Sequence, residues 1–194
     1  MVVGISGASG AIYGVRTVEA LHRLGIEVHL VISETALKTI EYETNYRSQD
    51  IYRMAAKVYD NRDLGAAISS GSFKVNGMIV APCSIKTLAG IANSFNSELL
   101  TRVADVQLKE RRKLVLMLRE TPLHLGHIQH MMSVTQMGGV ILPPVPSFYH
   151  LPKTIDDIVD QSIQKALDQF DIEANLFTRW EGMEQTIGKA KKWT

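Results

Sequence analysis

The chain has 194 residues, with 21 basic and 20 acidic side chains and a formal net charge of +1. That length suits one sizeable α/β domain, the charge balance leaves no basic surplus for nucleic acid, and no apolar run reaches the roughly 18 residues of a membrane-spanning helix. The single cysteine, Cys83, has no internal disulfide partner, and no signal-peptide pattern marks the opening "MVVGIS", so a reducing, cytoplasmic setting is expected.

Strand-length apolar runs alternate with helix-length patterns. "MVVGIS" (1–6) reads as a strand and "AIYGVRTVEALHRLG" (11–25) as a helix ending near Gly25. "EVHLVIS" (27–33) is a second strand and "ETALKTIEYET" (34–44) a second helix. The segment 45–76 is less regular: "SQDIYRMAAKVYD" reads as a helix and "NRDLGAAISSGSF" as a loop of a length often tied to function. "GMIVAP" (77–82) is a third strand, followed by helices at 84–93 and 97–112. "KLVLML" (113–118) is a fourth strand, 124–138 a helix, 138–143 a fifth strand and 154–170 a long last helix. The strands are rich in Val, Ile, Leu and Met without alternation, as strands covered on both faces are. Strand–helix–strand order then predicts a three-layer α/β/α domain with a parallel, flavodoxin-like or Rossmann-like sheet. One domain is expected over 1–194, with a C-terminal arm from about 171.

Open parallel sheets bind ligands beyond the carboxyl ends of their strands. Those ends carry "SGASG" (6–10), Ser33, "CSIKT" (83–87), the adjacent Arg119 and Glu120, and "PPVPSFYH" with Tyr149. In "GISGASG" three glycines let backbone N–H groups approach an anion at a helix start, or simply make a tight turn. The spacing is not G-x-G-x-x-G, and no acidic residue ends the second strand to hold an adenosine ribose, which favours a mononucleotide over a dinucleotide. Ser84 reads as a helix N-cap with Thr87 one turn on. Cys83 reads as a small buried residue. Arg102 and Lys109 are seven apart and share a helix face, either a second phosphate site or a solvated basic surface. His124, His127 and His130 step by three around a helix with no carboxylate cluster beside them, so no metal site is expected.

The stretches "GISGASG", "APCSIKTLAGIA", "LLTRVADVQLKERRKLVLMLRETPLHLGH" and "GGVILPPVPSFYHLPKTIDDIVD" closely resemble the UbiX-like flavin prenyltransferases, in the branch found beside hydroxyarylic-acid decarboxylases. The resemblance spans nearly the whole chain. It implies transfer of a dimethylallyl group from dimethylallyl monophosphate to reduced FMN, without metal. The prenylated FMN then serves a UbiD-like decarboxylase, and the usual assembly is a dodecamer with sites between subunits. By motif, the resemblance gives flavin contacts to Gly7, Ala8, Ser9, Ser33, Ser84, Ile85, Lys86, Thr87 and Arg119. It gives the prenyl phosphate to Lys109, Glu120, Tyr149 and Lys165, with Arg102, Glu43 and Trp180 lining the site. Many members have Arg where this chain has Lys165, so the charge stays but the planar fork is lost.

The chemistry needs groups of these types. Breaking an allylic carbon–oxygen bond releases a phosphate that Lys109, Lys165 and the Tyr149 hydroxyl can stabilise. Glu120 is the expected proton-transfer group, with Ser9, and the electron-rich flavin removes the need for a protein nucleophile. Two other readings remain. A flavin-dependent decarboxylase of cysteine-derived carboxylates would need an Asn-rich clamp, which the chain lacks. A non-catalytic flavin-binding subunit of a decarboxylase would use the 45–76 loop or the tail from Arg179 as a contact.

Overall fold

The computed structural model describes residues 1–180 and 182. Its elements run β1 Val2–Ile5, α1 Ala11–Arg23, β2 His29–Ile32, α2 Glu34–Glu43, α3 Ser48–Met54, β3 Lys57–Asp60, a 3-10 turn Ala67–Ser69, β4 Gly77–Cys83, α4 Ile85–Ala92, α5 Leu99–Lys109, β5 Lys113–Leu118, α6 Leu125–Gln136, β6 Val140–Ile141 and α7 Ile155–Asp168. All pairings are parallel, in the order β3-β2-β1-β4-β5-β6. The central strands β1 and β4 are buried along their whole length. Two apolar clusters follow from that: one packs α1, α2, α3 and α7 on one face, the other packs α4, α5 and α6 on the opposite face. The expected three layers are present.

The sheet has six strands where the sequence shows five. The expected helix over 48–60 stops after Met54, because Ala55 turns to extended backbone at ψ 141°. The chain then adds β3 beside β2, with only Tyr59 buried. An edge strand with one inward side chain has no apolar run to betray it.

The long segment after β3 is built rather than loose. The Asn61 carbonyl accepts from Leu99 N at 2.7 Å and its side-chain oxygen from Leu100 N at 2.9 Å, so Asn61 caps α5 from outside. Arg102 Nε donates to Ser69 O at 3.2 Å, and Arg112 donates to Phe73 O at 2.8 Å and Gly71 O at 2.6 Å. At the other end, buried Gln164 accepts from Ala174 N and donates to Ile172 O, while Arg179 grips Asp168. The arm is thereby tied to α7 as far as Arg179; residues 183–194 of the tail read as a partner contact lie outside the described residues. Among the described residues no helix is long and apolar enough to cross a membrane.

Helix α1 lies close on β4 because Gly14 has no side chain. A Cβ there would collide with the Ala81 carbonyl oxygen and come within 2.9 Å of Ile5 Cδ1. Gly14→Ala is expected to cost at least about 3 kcal/mol of stability, read by urea denaturation, since the obstacle is backbone that cannot rotate away.

Candidate functional site

Strand order reverses between β1 and β4: the chain leaves β1 for a helix on one face and leaves β4 for a helix on the other. The two connections diverge and open a crevice at the carboxyl ends. A cavity of about 1180 Å³ lies there. Its lining brings together ten residues of the expected site: Gly7, Ala8, Ser9, Ser33, Ser84, Ile85, Lys86, Thr87, Arg119 and Glu120.

The two turns at the crevice end differently. Ser84 is the N-cap of α4, accepting from Thr87 N at 3.2 Å and bonding Thr87 Oγ1 at 3.1 Å. The amides of Ile85 and Lys86 at the start of α4 have no partner among the described residues. At the start of α1 a carboxylate takes the N-cap amide and the first helical one. Gly10 N and Ala11 N both donate to Glu43 Oε2, at 2.7 and 3.1 Å. Burial alone would raise the Glu43 pKa, but hydrogen bonds from Ser9, Gly10 and Ala11, with the Arg119 charge, hold it below the usual carboxylate range. Glu43 therefore ties the Ser9–Gly10 turn to the end of α2 rather than lining the cavity itself.

Charge in the cavity is mostly paired. Arg62 meets Asp60 at 3.4 Å, and Lys86 meets Glu98 at 2.5 Å, with Glu98 also accepting from Asn61. The Arg119 guanidinium makes no hydrogen bond or ion pair with a described residue, although its backbone N is fixed to Cys83 O at 3.0 Å. Beside it, Glu120 accepts only from Thr121 N, at 3.0 Å. Both follow the last residue of β5, and both face the same cavity, whereas strand alternation would have sent them apart. Cys83 is wholly buried and desolvation pushes its thiol pKa up, so it is an inert wall residue.

Five expected residues lie elsewhere in the chain. Tyr149 Oη accepts from Gln161 Nε2 at 3.4 Å and packs edge-on against Trp180. Lys165 is one turn beyond Gln161 on α7, so it shares that surface, 3.9 Å from Asp168. Arg102 and Lys109 do share a face of α5, along the 69–73 segment, where Arg102 pairs with Asp105 and Lys109 with Glu110. The sequence reading missed Tyr52, Asp60, Asn61, Arg62 and Glu98 as lining. Recognising "KVYD" as a strand would have marked "NR" after it as another carboxyl-end loop.

The arrangement suits a flavin mononucleotide: two free amides at a helix start and an unpaired guanidinium for anionic or polar groups, and Leu37, Tyr52, Val58 and Ile85 as an apolar wall. A family model described as "Flavoprotein" matches residues 1–167. The chain belongs to that flavoprotein family. Within it, the chain is 62% identical over 185 residues to the flavin prenyltransferase UbiX of Thauera aromatica, covering 95% of each. A crystal structure of AnUbiX (PadA1) in complex with FMN and dimethylallyl pyrophosphate is 49% identical, with TM-score 0.92 over 94% of this chain and 97% of that one. A dodecameric FMN-dependent UbiX-like decarboxylase from Escherichia coli O157:H7 is 46% identical, with TM-score 0.90 over 94% and 98%. The chain is thus a member of the UbiX flavin prenyltransferases.

Because the folded-state pKa of Glu43 is depressed, its contribution to stability is present above the unfolded value and is lost as pH falls through the folded one. Thermal melts against pH should show Glu43→Gln less stable than the parent at neutral pH, with the gap closing in acid.

Proposed function

We propose that the chain transfers a dimethylallyl group from dimethylallyl monophosphate to reduced FMN and passes the prenylated FMN to a UbiD-like decarboxylase. One observation carries the reading: an Arg119 guanidinium without a hydrogen-bond or ion-pair partner among the described residues stands beside Glu120 at the crevice that the free amides of Ile85 and Lys86 also line. In this reading the Gly7–Ser9 turn, Ser33, the Ser84–Thr87 turn and Arg119 hold FMN. The reduced flavin supplies an electron-rich ring that takes up the five-carbon group.

Two donors to the leaving phosphate, Tyr149 and Lys165, share a surface, and two more cations, Arg102 and Lys109, share another. Neither pair lines the cavity of the same chain. We infer that neighbouring copies in a homo-oligomer, a dodecamer as in the E. coli relative, bring these surfaces to the crevice. Trp180 would come with Tyr149, since the two rings are in contact at 5.8 Å, and would face the allylic carbons as an aromatic wall. The allylic carbon–oxygen bond breaks and the oxygen keeps the electron pair. Cations and the Tyr149 hydroxyl stabilise that phosphate, and Glu120 exchanges a proton with it. Ser9, hydrogen-bonded to Glu43, is the second proton-handling group.

The test is anaerobic: protein, reduced FMN and dimethylallyl monophosphate are mixed, and the extracted flavin is weighed by mass spectrometry. A gain of one five-carbon unit is expected. Unchanged flavin with both the monophosphate and the diphosphate would favour a flavin-binding protein instead. Glu120→Gln should keep FMN binding and lose prenylation at least about a hundredfold. Lys165→Ala should raise the half-saturating donor concentration about tenfold and leave flavin affinity alone; equal weakening of both ligands would refute its assignment.

A further inference from the structure

Between the two flavin turns sits a residue assigned to neither. Ser6 follows β1 and is 1% exposed. Its hydroxyl donates to Pro82 O at 2.8 Å and accepts from Ser84 N at 2.7 Å. Its backbone N donates to the same Pro82 oxygen at 3.2 Å, and its carbonyl accepts from Ala8 N at 2.9 Å. Two bonds of the hydroxyl thus cross the floor of the crevice from the β1 connection to the β4 connection. The Ala8 bond closes the Gly7–Ser9 turn onto the same residue.

We propose that Ser6 is a positioning residue for the flavin: its hydroxyl fixes the distance and tilt between the Gly7–Ser9 turn and the Ser84–Thr87 turn. The inference rests on the reading that both turns hold FMN. The geometry calls for a hydroxyl in particular. Pro82 offers an acceptor and Ser84 a donor, so the linking group must both donate and accept from one short side chain. By taking the Ser84 amide, Ser6 also determines which donors remain for a ligand, namely those of Ile85 and Lys86. Without the hydroxyl, the Ser84 N–H has no acceptor at the buried floor of the crevice, and the α4 start is free to turn toward the cavity. Strand register between β1 and β4 covers Val2–Gly4, and beyond it the backbone bond from Ser6 N ends at Pro82, so the link onward to the α4 start at Ser84 is made by the hydroxyl.

The full-length apoprotein is titrated with FMN, read by quenching of flavin fluorescence. Ser6→Ala is expected to weaken FMN at least about tenfold, and Ser6→Thr, which keeps the hydroxyl, to stay within about threefold of the parent. Ser162→Ala, which removes a similarly buried hydroxyl bonded only within α7, should keep parental affinity. Deuterium exchange of a peptide covering 83–87 should be faster in Ser6→Ala apoprotein. Where Ser6→Ala gives no folded protein, Ser6→Cys, with a weak thiol donor and acceptor, carries the same comparison. Parental FMN affinity in Ser6→Ala, equal losses in Ser6→Thr and Ser6→Ala, or unchanged exchange over 83–87 would each overturn the proposal. Failure of the parent protein to bind FMN would instead sink the flavin reading, and the exchange comparison would still decide whether Ser6 joins the two turns.

Discussion

The site depends on one topological constraint, the reversal of strand order between β1 and β4. A right-handed crossover from β1 must run to one side of the sheet and the crossover from β4 to the other. Two chain segments that part company above adjacent strands leave space that no side chain of the core fills. Most groups placed at that space arrive by the same route, as the first residues after a strand, while Tyr52 comes from α3 and Glu98 from the start of α5. The core makes this possible by burying β1 and β4 completely, so their ends are held rigidly. Gly14 lets α1 sit close enough on β4 for the crevice to stay narrow at its base.

Electrostatics then divides the crevice. Helices α1 and α4 are two of those that begin there, and each N-terminus attracts negative charge. Glu43 occupies the α1 start with a carboxylate of the chain's own, while among the described residues the Ile85 and Lys86 amides of α4 have no partner. Likewise the chain neutralises Arg62 and Lys86 with carboxylates in contact, while Arg119 has no carboxylate in contact among the described residues and feels Glu43 only at a distance. An anionic ligand is thereby directed to the α4 start and Arg119, although the cavity wall as a whole carries both signs. Net charge of +1 says nothing of this; the direction comes from which cations are already paired.

Much of this was legible from the sequence, and the reasons are specific. "MVVGIS" and "KLVLML" read as buried strands because strands covered on both faces need no alternation, and both strands are there. The absence of G-x-G-x-x-G and of a ribose-binding acid pointed to a mononucleotide, in keeping with an FMN-binding family. Ser84 as a cap was visible because its hydroxyl and Thr87 are one turn apart. Other features were illegible for equally physical reasons. The strand β3 buries one side chain, so no periodicity announces it. Asn61 caps a helix that starts 38 residues later, a contact only the fold creates. Ser6 looks like the first residue of a glycine loop; its two hydroxyl bonds are to residues more than seventy positions away.

The separation of the residues into three surfaces bears on the chemistry. A prenyl cation released into water would be captured by it, so transfer to carbon needs a closed, dry space. A single chain offers an open crevice with Arg119 and Glu120 at its lip. Tyr149 and Arg102 have partners before any assembly: Tyr149 meets Gln161 and Trp180, and Arg102 meets Ser69 and Asp105. Side chains already held by neighbours lose less entropy on meeting than free ones. Under the proposed assembly, closing the site by association rather than by a moving lid would let each chain hold its flavin contacts in a fixed frame while neighbours supplied the phosphate contacts.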